Sequence, residues 1–409
     1  MKKSSLLFLL ACAFSSCPAE SPAPSDLQNQ ESDLSLSLPE GFSLSVFAIL
    51  DGLPRHLAAS PSGVLYAHLR NKDNGGCIAA LRDADGDGVA EQKAFFGEIC
   101  GTGIEVFQGH LYYSSLNEVW RVALPDTGLV PTAQPELVVG GFIKKPQHGD
   151  KTFTISPEGR LFVNSGAPSN ACQELERTKG SPGMDPCPLL ERHGGIWEFD
   201  AKRLGQDQMK DGKRFATGLR NCVALDWNPA SQALYLAQHG RDQLQQFWPE
   251  SFTEEQSMEL PAEEFMLAQQ GDDFGWPYCY YDPLQNKKVL GPEYGGDGKK
   301  IGRCSDCKDP LIGFPAHWAP NDLLFYRGRQ FPEPYQGGAF IAFHGSWNRN
   351  PGEQKGYRVV FVPFAGERPK DKSWEDFADG FMGPKPIKDR AKPNIALRAW
   401  RKTRKALST

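Results

Sequence analysis

Asp83, Asp85 and Asp87 stand at alternate positions ahead of Gly88 in LRDADGDGVAE. Carboxylates at that spacing converge on one hard cation in calcium loops. The twelfth position, which supplies a bidentate acid in an EF-hand, is Ala94, so other residues must complete an ion site, and the competing reading is a polar Asx turn. His148, in KKPQHGDKTFTISPEGRLFV, carries an imidazole able to act as a general base near neutral pH, although a lone loop histidine is more often structural. Arg220 and Asn221 lie in FATGLRNCVALDW, where a turn feeds a strand and aims both side chains at one cavity. A fixed guanidinium forks onto carboxylates and stabilises developing oxyanions; its bland alternative is bonding to loop carbonyls. QHGRDQL (238–244), GDDFGWPYCYYD (271–282), FPAHWAPNDLLFY (314–326) and the segment 337–364 concentrate His, Trp, Arg and Gly at strand ends. No nucleophile-elbow serine, Walker loop or dinucleotide glycine fingerprint stands out.

Strands must position these groups. The phrase Pro, one or two residues, Gly, then an alternating apolar run recurs in SPSGVLYAHL from Ser60 and SPEGRLFVNSG from Ser156, with a weaker copy, WNPASQALYLAQHG, from Trp227. Each is a tight turn feeding a strand of period two. Pro61, Pro157 and Pro229 are 96 and 72 residues apart, too far for a compact sandwich but suited to four-stranded blades. At the usual blade length, the ordered chain accommodates roughly six blades. The expected fold is therefore all-β, a six-bladed propeller over 38–396. Between Phe252 and Gln270, Thr253 and Gln256 form a capping box, and Pro261 ends the excursion. The 409 residues include 42 glycines and 32 prolines, in keeping with many short strands, and a net charge of -5 argues against nucleic acid.

Residues 1–17 read as an export signal, with Lys2 and Lys3 ahead of an apolar run too short to span a membrane. Cys17, or less well Cys12, is placed for lipidation, with plain cleavage as the equal alternative; a lipid is the only membrane attachment foreseen. Residues 18–37 are rich in Ser, Pro, Gln and Glu and read as a disordered linker. An oxidising compartment makes disulfides the default for the eight later cysteines. Proximity suggests Cys77 with Cys100, Cys172 with Cys187, and Cys279 with Cys304 or Cys307. The CxxC at Cys304 and Cys307 is followed by Lys308 rather than the histidine of a c-type haem site.

ATGLRN, GWPYC, HWAP and AFIAFHGSWNR, in this order, resemble the sorbosone dehydrogenase branch of the soluble quinoprotein glucose dehydrogenases, with similarity running from Leu38 to Ala396. The resemblance implies pyrroloquinoline quinone and calcium in the axial cleft and oxidation of a sugar, sugar aldehyde or polyol. It implies His148 as base, Arg220 and Asn221 as quinone contacts with Arg220 stabilising charge, and carbonyls of Gly240 and Arg241 as calcium ligands. Arg390 and Lys392 would meet cofactor carboxylates, and His317 and His344 would face the cofactor. Electrons would leave to a separate acceptor. Glucose-oxidising relatives place an acid where Ala167 stands, and Asn170 is the expected substitute. Relatives also end in a Pro-Asp-Gly turn and closing strands, whereas Ile395 and Ala396 run into LRAWRKTRKALST. The last blade is thus expected to be incomplete, with 397–409 a basic tail. The competing functions are a non-catalytic propeller binding glycan or protein at the cell surface and a calcium-dependent lactonase.

Overall fold

A computed structural model of the protein describes residues 36–145 and 147–383, together with the backbone of residues 5–11. Five sheets of four or five strands follow one another along the chain. Blade one comprises Pro54–Ala59, Leu65–Asp73, Gly76–Arg82 and Gln92–Phe96. Blade two comprises Ile104–Phe107, His110–Ser114, Val119–Ala123 and Glu136–Gly140, with Gln206–Asp207 added in parallel at its outer edge. Blade three comprises Phe153–Ile155, Arg160–Ser165, Gly195–Asp200 and Lys213–Thr217, again extended in parallel by Asp272–Asp273. Blade four comprises Ala224–Asn228, Ala233–Gln238, Glu263–Ala268 and Ile312–Phe314. Blade five comprises Pro320–Phe325, Ala339–His344, Tyr357–Val362 and Glu375–Ala378.

The period of two explains why these strands are apolar throughout. Successive side chains point to opposite faces, and each sheet is sandwiched between two others. Tyr113 packs towards blade one with Tyr66 and Ile78, while its neighbour Tyr112 packs towards blade three with Leu161 and Trp197. Likewise Leu236 joins Phe162 and Ile196 of blade three, and Tyr235 joins Ile341 and Val360 of blade five. A one-residue slip would exchange every such pair. The first strands of consecutive blades are neighbours around the axis. Their inner edges lack a ladder partner, so side chains bridge them. Thr152 Oγ1 donates to Cys222 O at 3.0 Å, and Asp226 Oδ2 accepts from Phe325 N at 2.9 Å.

Five blades of this kind are present among the described residues, rather than the six expected. Ser43–Leu50 lies between blade five and blade one, with Val46 in the apolar cluster of the former and Phe47, Ala48 and Leu50 in that of the latter. Its partner in a two-stranded antiparallel sheet is Ser5–Ala11, within the apolar run read as an export signal. Cys12, Cys17, most of the expected linker, Arg390, Lys392 and the tail 397–409 lie outside the described residues. The disulfides are Cys77–Cys100, Cys172–Cys187 and Cys279–Cys304, as the spacing suggested, and Cys222 and Cys307 are thiols. The capping box of Thr253 and Gln256 opens the helix Glu254–Glu259. Among the described residues no helix is long and apolar enough to cross a membrane.

Candidate active site

The segments entering the first strands of blades three, four and five carry His148, Arg220 with Asn221, and His317, so strand polarity delivers these groups to one end of the axis. The loop after Ala233–Gln238 adds His239 to Asp242 at the same end. The His148 loop is anchored by Asp150, whose carboxylate accepts from Arg70 at 2.8 Å and Thr102 at 2.8 Å and pairs with Arg55 at 3.4 Å. Gly166 allows the close approach of this loop to blade four, because a Cβ there would lie 2.6 Å from Asn221 Oδ1 and 2.7 Å from His148 O.

His148 Nδ1 is 2.5 Å from the carbonyl of Ala167. A carbonyl only accepts, so Nδ1 carries the proton and Nε2 keeps its lone pair. Burial, reinforced by the Arg220 guanidinium, holds the imidazole pKa down at about 3. The ring is therefore neutral at physiological pH. An acid was not needed to orient it: the backbone of Ala167 does so, and Asn170, the expected substitute, is placed elsewhere.

Asn170 instead organises Arg220. Its Oδ1 accepts from Arg220 Nη2 at 3.0 Å and from the Asp242 amide at 2.8 Å, and its Nδ2 donates to Asp242 O at 3.0 Å. Arg220 Nη1 donates to Gly240 O at 2.8 Å, and Nη2 meets Asp242 Oδ2 at 2.8 Å. Asp242 also pairs with Arg177 at 3.0 Å and accepts from Asn348 Nδ2 at 2.9 Å. Burial alone would raise the Asp242 carboxyl, but Arg220 and Arg177 outweigh it and hold it well below the usual range. Asn221 Oδ1 accepts from Asn164 Nδ2 at 3.2 Å. His317, held at a φ of 67°, has Nε2 2.9 Å from Ser257 O and Nδ1 3.4 Å from Asn348 Nδ2. His344 ends its strand with its backbone amide donating to Ala319 O at 3.0 Å. Behind Gly240, buried Glu263 accepts from the Gly240 amide at 2.9 Å and the Ala319 amide at 3.3 Å, and burial pushes its carboxyl up to about 8. Asn348 Oδ1 is buried without a hydrogen-bond partner among the described residues.

His148, Arg220, Asn221, Gly240 and His317 thus converge. The side chain of Arg241 turns away to Glu293. Asp242, Asn348, Glu263 and Arg177 were not foreseen. The GRD and WNR tripeptides containing Asp242 and Asn348 were inside quoted segments, but nothing local marks them as partners of Arg220. The aspartate loop lies between the two outer strands of blade one. There Glu91 joins Asp83, Asp85 and Asp87, their ligand oxygens all within 4.8 Å of one another. Glu91 occupies the ninth loop position, often used through water in calcium loops, which was the available signal.

The sequence pattern of the TrAA12-like family matches residues 36–381. The chain belongs to the TrAA12-like family. The kinship read from ATGLRN, GWPYC, HWAP and AFIAFHGSWNR therefore holds. Among solved structures, the calcium structure of the Trichoderma reesei family AA12 carbohydrate-active enzyme is 19% identical, covers 85% of this chain and 88% of its own, and has a TM-score of 0.67. The holo pyranose dehydrogenase PQQ domain of Coprinopsis cinerea is 19% identical, with coverage of 84% and 86% and a TM-score of 0.67. These likenesses show the propeller fold. An uncharacterized protein of Borreliella burgdorferi is 29% identical over 167 residues, 41% of this chain and 38% of that protein, so the chain spans under two fifths of this curated relative.

Proposed function

We propose that this TrAA12-like chain is a pyrroloquinoline quinone- and calcium-dependent oxidoreductase that oxidises a sugar, sugar aldehyde or polyol. The observation that carries the reading is the neutral His148, with Nδ1–H committed to Ala167 and the Nε2 lone pair left open to accept a proton, beside the charged wall of Arg220. Two fold neighbours, one a calcium structure and one a holo PQQ domain, support it. The residues present suit such a group. Gly240 and Arg241 offer hard carbonyl oxygens, and Asn348 Oδ1 is an orphaned buried acceptor beside Asp242. When bound, the quinone with its calcium supplies a two-electron acceptor for a carbinol hydride.

The protein's own part is acid–base chemistry and orientation. His148 Nε2 takes the hydroxyl proton of the substrate, and the Ala167 carbonyl then accepts from an imidazolium whose charge is opposed by Arg220, so the proton is readily passed on. Arg220 presents a positive charge to anionic ligand groups without reorganising, because Asn170 and Asp242 have already fixed its plane. Asn221, His317 and His344 contribute to ligand placement, and Arg390 and Lys392 supply further cations for cofactor carboxylates. In the same reading, a sixth blade built on Ser43–Leu50 completes the ring, the chain is exported by residues 1–17 with Cys17 as the lipid attachment point, and a separate carrier removes the electrons. Three disulfides support an oxidising compartment. The four carboxylates of blade one hold a structural calcium ion.

Calorimetric titration of pyrroloquinoline quinone into the full chain, with and without calcium, tests the reading, followed by dye reduction with a panel of sugars. Calcium-dependent binding and sugar-dependent reduction are expected. Well-folded protein that binds carbohydrate but no quinone would transfer the conclusion to a glycan-binding propeller.

A further inference from the structure

Three sulfurs meet outside the site described above. Cys279 opens the hairpin of Cys279–Asp282 and Lys287–Leu290, and its disulfide partner Cys304 lies in the short 3₁₀ turn Gly302–Asp306. Cys307 caps that turn, its amide donating to Cys304 O at 3.3 Å. Residues three apart in a 3₁₀ turn share one face, so the CxxC delivers both of its sulfurs towards Cys279. Cys307 remains a half-buried thiol, and its Sγ lies 3.9 Å from Cys279 Sγ.

The backbone holds the thiol there. The amide of Lys308, next to it, donates to Asp273 O at 2.8 Å, and the Cys279 amide donates to Gly275 O at 2.9 Å, so one short turn anchors both cysteines. Gly275, at a φ of 95°, makes the approach possible, because a Cβ there would lie 2.9 Å from both Cys307 Sγ and Cys279 Cβ. Chain closure favours neither partner: Cys304 is 25 residues from Cys279 and Cys307 is 28, and the entropy of closing a loop varies only with the logarithm of its length. Packing decides, and it buries Cys304 while leaving Cys307 partly open to solvent. We propose that Cys279, Cys304 and Cys307 form an internal thiol–disulfide exchange site, in which Cys279 passes between the two cysteines of the CxxC. The Cys307 thiolate attacks Cys279 Sγ; the Cys279–Cys307 bond forms as the Cys279–Cys304 bond breaks, and Cys304 leaves as a thiolate that takes up the proton Cys307 lost. No oxidant or reductant enters, and the site needs neither quinone nor calcium. Burial, Asp273, Glu264 and Asp306 push the Cys307 thiol up to about 11, with Lys288 opposing them, so roughly one thiol in ten thousand is ionised at pH 7 and the resting bond persists.

The test holds the full chain at pH 7, 8 and 9, quenches it in acid to stop exchange, unfolds it and caps its thiols with N-ethylmaleimide at acid pH. Peptide mass spectrometry then reads which cysteine carries the cap, with the buried thiol Cys222 as the reference. The cap should lie on Cys307 at first and pass in part to Cys304, about tenfold faster for each pH unit as the thiolate share grows. Blocking Cys307 in the folded chain with iodoacetamide should keep the cap off Cys304. Cys304→Ser, incubated with oxidised glutathione, should form the Cys279–Cys307 bond. A cap that stays on Cys307 alone, a transfer rate proportional to protein concentration, a transfer that survives the iodoacetamide block, or Cys304→Ser left with both thiols would each overturn the proposal. If Cys304→Ser does not fold, the wild-type labelling decides.

Discussion

Replacing Arg220 by methionine isolates the centre of the site, because the apolar stem remains and the guanidinium goes. The change deletes the bonds to Gly240 O, Asn170 Oδ1 and Asp242 Oδ2 and leaves Asp242, with only 13% of its side chain exposed, in the care of Arg177 and Asn348. Removing one partner of a buried ion pair costs about 3–5 kcal/mol, and the surviving Arg177 contact places Arg220→Met near the lower end, about 3 kcal/mol. That is within the stability of about 5–15 kcal/mol of ordinary domains, so the variant should fold. Urea unfolding of wild type, Arg220→Met, Asp242→Asn and the double variant forms a cycle, and a coupling of about 2 kcal/mol is expected because the second substitution removes the orphaned charge. The pH dependence supplies an independent sign. The depressed carboxyl of Asp242 contributes stability above its unfolded pKa of about 3.9 and loses it as pH falls through the folded value. The gap between wild type and Arg220→Met should therefore be full at pH 7 and narrow below about pH 4. Additivity within about 0.5 kcal/mol, or a gap independent of pH, would refute the claim that Arg220 and Asp242 act as one unit.

His148→Gln should lower sugar oxidation by about 10²–10⁴-fold with quinone affinity unchanged; equal loss of both would remove His148 as the base. His68 and His239 are buried and neutral, each held near a pKa of about 4 chiefly by desolvation. Folding stability should be full above pH 6.5 and fall below it as the unfolded chain binds their protons, by up to roughly 1.4 kcal/mol per pH unit for each; urea midpoints that stay flat from pH 7 to 4.5 would contradict this. Calcium at about a hundred times its dissociation constant for the blade-one site should stabilise the chain by about 2.7 kcal/mol, and Asp85→Asn with Glu91→Gln should remove that site's share of the response. A melting temperature indifferent to chelator would show that the aspartate loop is only a turn.

The turn-and-strand phrases at Ser60 and Ser156 were legible because their determinants are local: a Gly at a φ of 81° or 99° ends each turn and a period of two follows it. The same is true of the Thr253 capping box and of disulfides closing short loops. His148 and Arg220 were legible as candidates since each precedes a blade's first strand, and strand polarity alone carries them to one end of the axis, whereas His317 was a candidate only through the family resemblance. Their partners were not. Asp242 is 22 residues from Arg220, 65 from Arg177 and 106 from Asn348, and no pattern in the chain relates these positions. The blade count was similarly underdetermined, because it depends on how sheets close around an axis and not on any one sheet. Local sequence chose strands, turns and the end of the ring at which polar groups gather. Only the tertiary structure decided which charge neutralises which, because an ion pair buried between loops from different blades exists through the rotation of each sheet against the next.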